Sequence, residues 1–286
     1  MQIQVASFFH HATSTFSHVA ADPDSRQAAI IDSVLDFDCK SGRTGTESAD
    51  RLIAWLGENE YQAEWILETH AHADHLSAAM YLRGKLGAKI GIGEGITMVQ
   101  KTFAKVFNLA DHFRPDGSQF DHLFRDHEEI RIGSIRGRVM HTPGHTNDSV
   151  TYVFGDAAFV GDTLFMPDFG TARCDFPGGD ARLLYQSIQK IYELPDETRL
   201  YLCHDYPPAG REKSCMTTVG IGKKHNIHVN QSSSVDQFVK MRNTRDAQLD
   251  MPALILPSIQ VNIRAGALPE PEDNGTRYLK LPLDQF

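Results

Sequence analysis

Four cysteines in 286 residues, Cys39, Cys174, Cys203 and Cys215, are scattered without a C-x-x-C spacing. That usage argues against a disulfide frame and fits thiols kept reduced in a cytosol. Basic residues are outnumbered by acidic ones, 28 to 37, for a net charge of -9. A chain so acidic is not expected to bind nucleic acid, whose phosphates want a basic face. No apolar run approaches the ~20 residues of a membrane helix, so no membrane span is expected. The opening Met1-Gln2-Ile3-Gln4-Val5 has no basic start and no long apolar stretch, so no secretion signal is expected either. No segment repeats at a fixed period. With apolar content at 41 % and charged content at 23 %, the chain reads as a soluble, cytoplasmic protein built on one large core.

Short β-rich runs open the chain at residues 3–9, 15–20 and 28–34, separated by turns such as Ala21-Asp22-Pro23-Asp24. The stripe Leu52, Ile53, Leu56 predicts a helix over about 46–60. A strand at 64–69, a helix at 76–86, a strand at 89–92 and a helix at 96–107 are expected next. Residues 108–127, polar and rich in His, Asp and Gly, read as a surface excursion. Hairpins are expected from 130–132 with 136–140, and from 149–154 with 158–160. An amphipathic helix over 182–194 stops at Pro195, and a buried strand follows at 199–202. The remainder shows one helix, at 235–242, and much Pro-bearing coil. Two groups of strands with helices between and outside them predict an α/β fold of the αββα type. Two mixed sheets face each other and helices cover both outer faces. The expectation is one domain over 1–286, with a core at about 1–206 and an extension at about 207–286 wrapped over it.

What the chain has in abundance is metal-competent chemistry at strand ends. Thr69-His70-Ala71-His72-Ala73-Asp74-His75 follows the apolar run Trp65-Ile66-Leu67 and puts imidazoles and a carboxylate into one turn. Such groups are costly to bury without partners, but they are the usual donors for zinc and iron. Three further clusters keep it company: His141-Thr142-Pro143-Gly144-His145, Gly161-Asp162-Thr163 and Cys203-His204-Asp205. In an extended loop alternate residues point the same way, so His70 and His72 can face one metal position. Asp74 and His75, expected to start the next helix, can face a second. His145 would cap the first position, Asp162 can bridge, and His204 can close the second. His141 is read as a structural neighbour, and His10, His11, His18, His112, His122, His127 and His228 as surface or loop residues. Cys174 reads as a small buried filler. These residues alone leave iron and zinc both open.

The series H-x-H-x-D-H, T-P-G-H-T, G-D-T-L-F and C-H-D-Y resembles the metallo-β-lactamase superfamily from about residue 1 to 206. Within it the chain is similar to the glyoxalase II branch, and inside that to the persulfide dioxygenases. The narrower likeness rests on Asp32-Ser33-Val34-Leu35-Asp36-Phe37-Asp38 with Lys40-Ser41-Gly42-Arg43-Thr44, on Arg173-Cys174-Asp175-Phe176-Pro177-Gly178-Gly179, and on His204-Asp205-Tyr206. The resemblance implies the metallo-β-lactamase fold and one Fe(2+) per chain, held by His70, His145 and Asp162. Two histidines and a carboxylate leave three octahedral positions open, as in non-heme oxygenases. His72, Asp74, His75 and His204 would then orient ligands and water by hydrogen bonds. The implied substrates are glutathione persulfide and O2, giving sulfite and glutathione. Arg173, Tyr206 and Lys224 are the candidates for holding the anionic peptide. The segment between His75 and His141 is longer than in the glyoxalase II pattern. The tail after Tyr206, including Lys223-Lys224-His225-Asn226-Ile227-His228, departs from that branch's glutathione site.

Two other readings compete. In a dinuclear zinc thioester hydrolase Asp74, His75 and His204 would all be ligands, and the metals would lower the pKa of a bridging water. A non-catalytic sulfide- or metal-responsive binding protein would use the same fold without turnover. A homo-oligomer stays open on the sequence.

Overall fold

The structure is a computed structural model that describes residues 2–109 and 113–285. His112 lies outside the described residues. Strands β1 (Gln4–His10), β2 (Thr15–Asp22), β3 (Gln27–Ile31), β4 (Val34–Asp38) and β5 (Arg43–Gly45) lead to helix α1 (Glu47–Glu58). Next come β6 (Gln62–Leu67), β7 (Leu76–Ser77), α2 (Ala79–Leu86), β8 (Lys89–Gly93), α3 (Ile96–Val106) and β9 (His122–Phe124). Then follow β10 (Glu129–Ile132), β11 (Ile135–His141), β12 (Val150–Phe154), β13 (Ala157–Phe159), α4 (Ala181–Tyr192), β14 (Arg199–Tyr201) and β15 (Met216–Thr218). The chain finishes with α5 (Val219–His225), α6 (Val235–Asp246) and α7 (Ile255–Asn262).

One sheet has the order β1-β2-β3-β6-β8-β9 and a second the order β10-β11-β12-β13-β14-β15. The period-two pattern of the strands says how they stack. In β3, Ala29 and Ile31 join Leu67 and Phe124 against Val139, Tyr152, Phe154 and Phe159 of the second sheet. The alternate residues Ala28 and Ile30 turn outward and meet Leu52 of α1, Leu82 of α2, Phe103 of α3 and Ile259 of α7. On the other outer face Ala158 and Leu200 pack under Leu184 and Ile188 of α4 and Phe238 of α6. Three apolar interfaces between four layers are an αββα sandwich, as the sequence led us to expect. The parallel strands β3 and β8 are buried along nearly their whole length and so read as apolar runs without alternation, whereas β6 is buried only at Ile66 and Leu67 and the edge strand β9 only at Phe124.

Four local expectations change. Residues 108–127 are not merely a surface excursion. They supply β9 as the edge of the first sheet, and Phe113, Phe120 and Phe124 are buried. Polar neighbours hide these anchors from a composition reading. No helix begins at Leu76. Leu76 and Ser77 pair with Leu35 and Val34 of β4, so Asp74 and His75 sit in an irregular loop before α2. Ser77 forms that short strand because its side chain serves Glu68 Oε1 and the Ala79 amide, while Asn262 takes its own amide. The C-terminal stretch carries α5 and α7 besides α6. Pro257 is tolerated in the first turn of α7, where amides lack helical partners anyway. His18 is 1 % exposed, inside β2, not on the surface. Its Nε2–H donates to the Leu202 carbonyl at 3.0 Å and its Nδ1 accepts from Ser7 Oγ at 2.8 Å.

Candidate metal centre

Strand ends of the two sheets meet where the histidine-rich turn leaves β6. Asp32, at φ +53 in the turn after β3, fixes the start of that loop. Its carboxylate accepts the Thr69 amide at 2.7 Å and the Thr69 hydroxyl at 2.9 Å. Asp148, from the β11–β12 connection, accepts the Ala71 amide at 2.7 Å. Asn262 of α7 donates to the carbonyls of His72 and His75 at 2.7 and 2.8 Å. Gly161 (φ +51) lets β13 bring Asp162 in, since a Cβ there would strike the Thr69 side chain. The loop is therefore held by residues remote in sequence before any ion is considered.

These constraints set the tautomers. The Thr69 hydroxyl gives its proton to Asp32, so the His70 Nδ1–H donates to Thr69 Oγ1 at 3.1 Å. The His145 Nδ1–H donates to the Arg173 carbonyl at 2.8 Å. Both rings thus present the Nε2 lone pair, 3.9 Å (His70) and 3.7 Å (His145) from Asp162 Oδ2. The donor atoms of His70, His145 and Asp162 lie within 4.8 Å of one another. His72 turns away: its Nε2 faces Asp32 Oδ1 at 3.0 Å and Glu68 Oε2 at 3.3 Å. His204 Nε2 lies 3.3 Å from Asp74 Oδ2 and 3.4 Å from Asp162 Oδ1, beside the triad. His141, by contrast, donates from Nε2 to the Phe124 carbonyl at 3.0 Å and stays outside the centre.

Burial drives the His70 imidazole well below its ordinary pKa, helped by His72, His145, His204 and His75 around it. It likewise takes His75 down to about 3. His204 moves the other way, because Asp162 and Asp74 outweigh its burial. His70 Nε2, His75 Nε2, Asp162 Oδ1 and His204 Nε2 are buried with no hydrogen-bond partner among the described residues. Leaving such groups unpaired costs about 1–3 kcal/mol each. A cation bound at the triad satisfies the orphaned His70 nitrogen beside the Asp162 carboxylate, so the residues present fit a metal ion.

A cavity of about 260 Å³ opens from this centre and is walled by Phe165, Phe169, Phe176 and Tyr206. Tyr206, a predicted substrate residue, sets its ring at a tilt against Phe169 at the rim, with centroids 4.9 Å apart. Arg173 also lines the cavity, but its guanidinium is engaged by Asp175 through two 2.6 Å hydrogen bonds and by the Asp250 carbonyl. Lys224 is exposed on α5 and is not part of the cavity wall. The structure adds His228, Arg242 and Arg245 to that wall. His228 sits in the loop after α5, as expected, but half-buried, with its Nδ1 accepting the Thr171 amide at 3.0 Å. Arg242 is buried in an ion pair with Asp246 and reaches the Thr171 carbonyl, tying α6 to the loop beneath His145. The helix expected from the sequence stops at Arg242, one turn short of Asp246, so the i, i+4 pair was missed along with its place beside the site.

Across 92 % of this chain and 89 % of the other, the human mitochondrial persulfide dioxygenase is 28 % identical. A protein of Burkholderia pseudomallei described as a probable metallo-hydrolase is 55 % identical over 98 % of this chain and 99 % of its own. The crystal structure of ETHE1 from Myxococcus xanthus superposes with a TM-score of 0.73 at 29 % identity, covering 93 % of this chain and 100 % of that one. The family model of the metallo-beta-lactamase superfamily matches residues 41–204. That match spans every loop that carries His70, His145, Asp162 and His204, and the chain accordingly belongs to the metallo-β-lactamase superfamily.

Proposed function

We propose that this member is an iron(II)-dependent persulfide dioxygenase, with one iron per chain. It would oxidise glutathione persulfide with O2 and water to sulfite and glutathione. The observation that supports this reading is the division of the histidine cluster. His70, His145 and Asp162 share one point, while Asp32 and Glu68 draw His72 Nε2 elsewhere. When bound, iron(II) in a set of two histidines and one carboxylate keeps three open positions and supplies the redox chemistry that O2 requires.

The chain's own residues do the rest. Thr69 and the Arg173 carbonyl hold the two ligand imidazoles in the tautomer that offers Nε2. The aromatic wall excludes water from the reacting sulfur and keeps it beside the centre, where proximity raises the effective concentration. Arg245 is exposed at the cavity and has no ion pair among the described residues, so it is the cation we assign to a glutathione carboxylate. Tyr206 offers a hydroxyl at the same rim. Arg173 serves the centre through its backbone carbonyl and through its guanidinium over the Phe176 ring at 5.1 Å.

A dinuclear zinc thioester hydrolase is the rival reading, favoured by the 3.3 Å approach of His204 to Asp74 next to the orphaned His75 Nε2. Metal analysis of anaerobically purified protein, paired with O2 uptake on glutathione persulfide, separates the two. Close to one iron per chain and stoichiometric O2 consumption are expected. Two zinc ions per chain with thioester hydrolysis and no O2 uptake would replace the proposal by its rival.

A further inference from the structure

We infer that His72, His75 and Cys203 form a second metal position bearing a thiolate, suited to a borderline ion such as zinc(II). This goes beyond the iron reading and does not depend on it. The three donor atoms lie within 4.8 Å of one another. All three residues are at most 1 % exposed. Their surroundings settle which atoms are free. The His72 Nε2–H is spent on Asp32 Oδ1 at 3.0 Å, with Glu68 Oε2 3.3 Å away, which leaves the lone pair on Nδ1. The His75 Nδ1–H faces the Leu76 carbonyl at 3.2 Å, which leaves the lone pair on Nε2. Neither lone pair has a hydrogen-bond partner among the described residues.

Cys203 completes the set from the end of β14. Its carbonyl is pinned by the Phe16 amide at 2.6 Å, and its thiol faces both His204 and His72. Two imidazole nitrogens and a sulfur are a donor set for zinc or cobalt rather than for magnesium or calcium. The carboxylates behind His72 are the outer partners such a ligand ordinarily has, and here they also offset the charge that a divalent ion brings into a buried place. Binding exchanges the thiol proton for the metal–sulfur bond, with the proton released to solvent. Nothing is oxidised or reduced.

The test uses the full chain, stripped of metal and titrated anaerobically with cobalt(II) chloride. A near-ultraviolet thiolate-to-cobalt charge-transfer band should grow with one equivalent. Cys203→Ser should abolish the band and weaken that equivalent by more than the roughly 10–100-fold typical of losing an outer partner. His75→Ala should weaken the same equivalent with Cys203 intact. Because Cys203→Ser could fold poorly, the zinc-loaded wild-type protein gives an independent readout. Its zinc X-ray absorption should contain one sulfur neighbour at about 2.3 Å. No charge-transfer band, a band that persists in Cys203→Ser, or a zinc spectrum with nitrogen and oxygen neighbours alone would overturn the site. O2 uptake on glutathione persulfide is read separately. A thiolate band on the sole equivalent bound would uphold this site and refute the triad instead.

Discussion

Asn262 carries a prediction whose size can be worked from its contacts. Its carboxamide donates to the carbonyls of His72 and His75 at 2.7 and 2.8 Å and accepts the Ser77 amide at 2.8 Å. All four residues are buried, so water does not take over these bonds when the side chain is cut back. At about 1 kcal/mol net for each bond lost, Asn262→Ala should cost about 3 kcal/mol. For a chain of this size that lowers Tm by about 5 °C. Asn262→Asp should be worse than alanine, although it keeps the shape and still accepts from Ser77, because it sets a carboxylate against two carbonyl oxygens. The loop it holds carries His70 to His75, so metal affinity should fall roughly 10–100-fold as well. Differential scanning calorimetry of the metal-free protein and a competitive chelator titration measure the two effects apart. A Tm within 1 °C of wild type in both variants would show that the loop is held without Asn262.

Further outcomes follow from the same geometry. Asp162→Ala should lose its iron, whereas His72→Ala should keep most of it and turn over more slowly; metal analysis that finds both sites equally empty would void the ligand assignment. Arg245→Ala should raise KM for glutathione persulfide several-fold at unchanged kcat, while Arg173→Ala, which frees Asp175 and disturbs the loop behind His145, should lower kcat and Tm together. Steady-state kinetics with the roles exchanged would move substrate binding to Arg173. Burial holds the His18 imidazole at about 4 against an ordinary 6.5, so the native state refuses a proton that the unfolded chain accepts. The stability this group contributes is present above pH 6.5 and lost as the pH falls towards 4, by about 3 kcal/mol. Chemical denaturation across that window should show the slope in wild type and lose it in His18→Gln; equal slopes would discard the assignment.

What could be read from the sequence was whatever a short window contains. The β-rich runs of β1, β2 and β3 announce themselves by composition and bounding turns, and the Leu184, Ile188, Ile191 stripe of α4 because one face of that helix is committed to a core, while Leu183 beside it stays exposed. The metal-competent clusters were equally plain, since each is contiguous and follows a strand. What escaped is long-range or masked. β9 is a three-residue strand whose aromatic anchors Phe120 and Phe124 sit among Asp, His and Arg. Leu76-Ser77 has helical neighbours, yet a pairing with β4 and a side chain from position 262 decide otherwise. His18 and His75 have the same side chain, but one is closed off by Ser7 and Leu202 whereas the other keeps an orphaned nitrogen beside Cys203. Sequence spacing cannot tell those two apart, because a histidine's role depends on which of its nitrogens is already occupied. In this fold Asp32, Glu68, Thr69 and the Arg173 carbonyl make that choice, from three different segments, and they make it before a metal arrives.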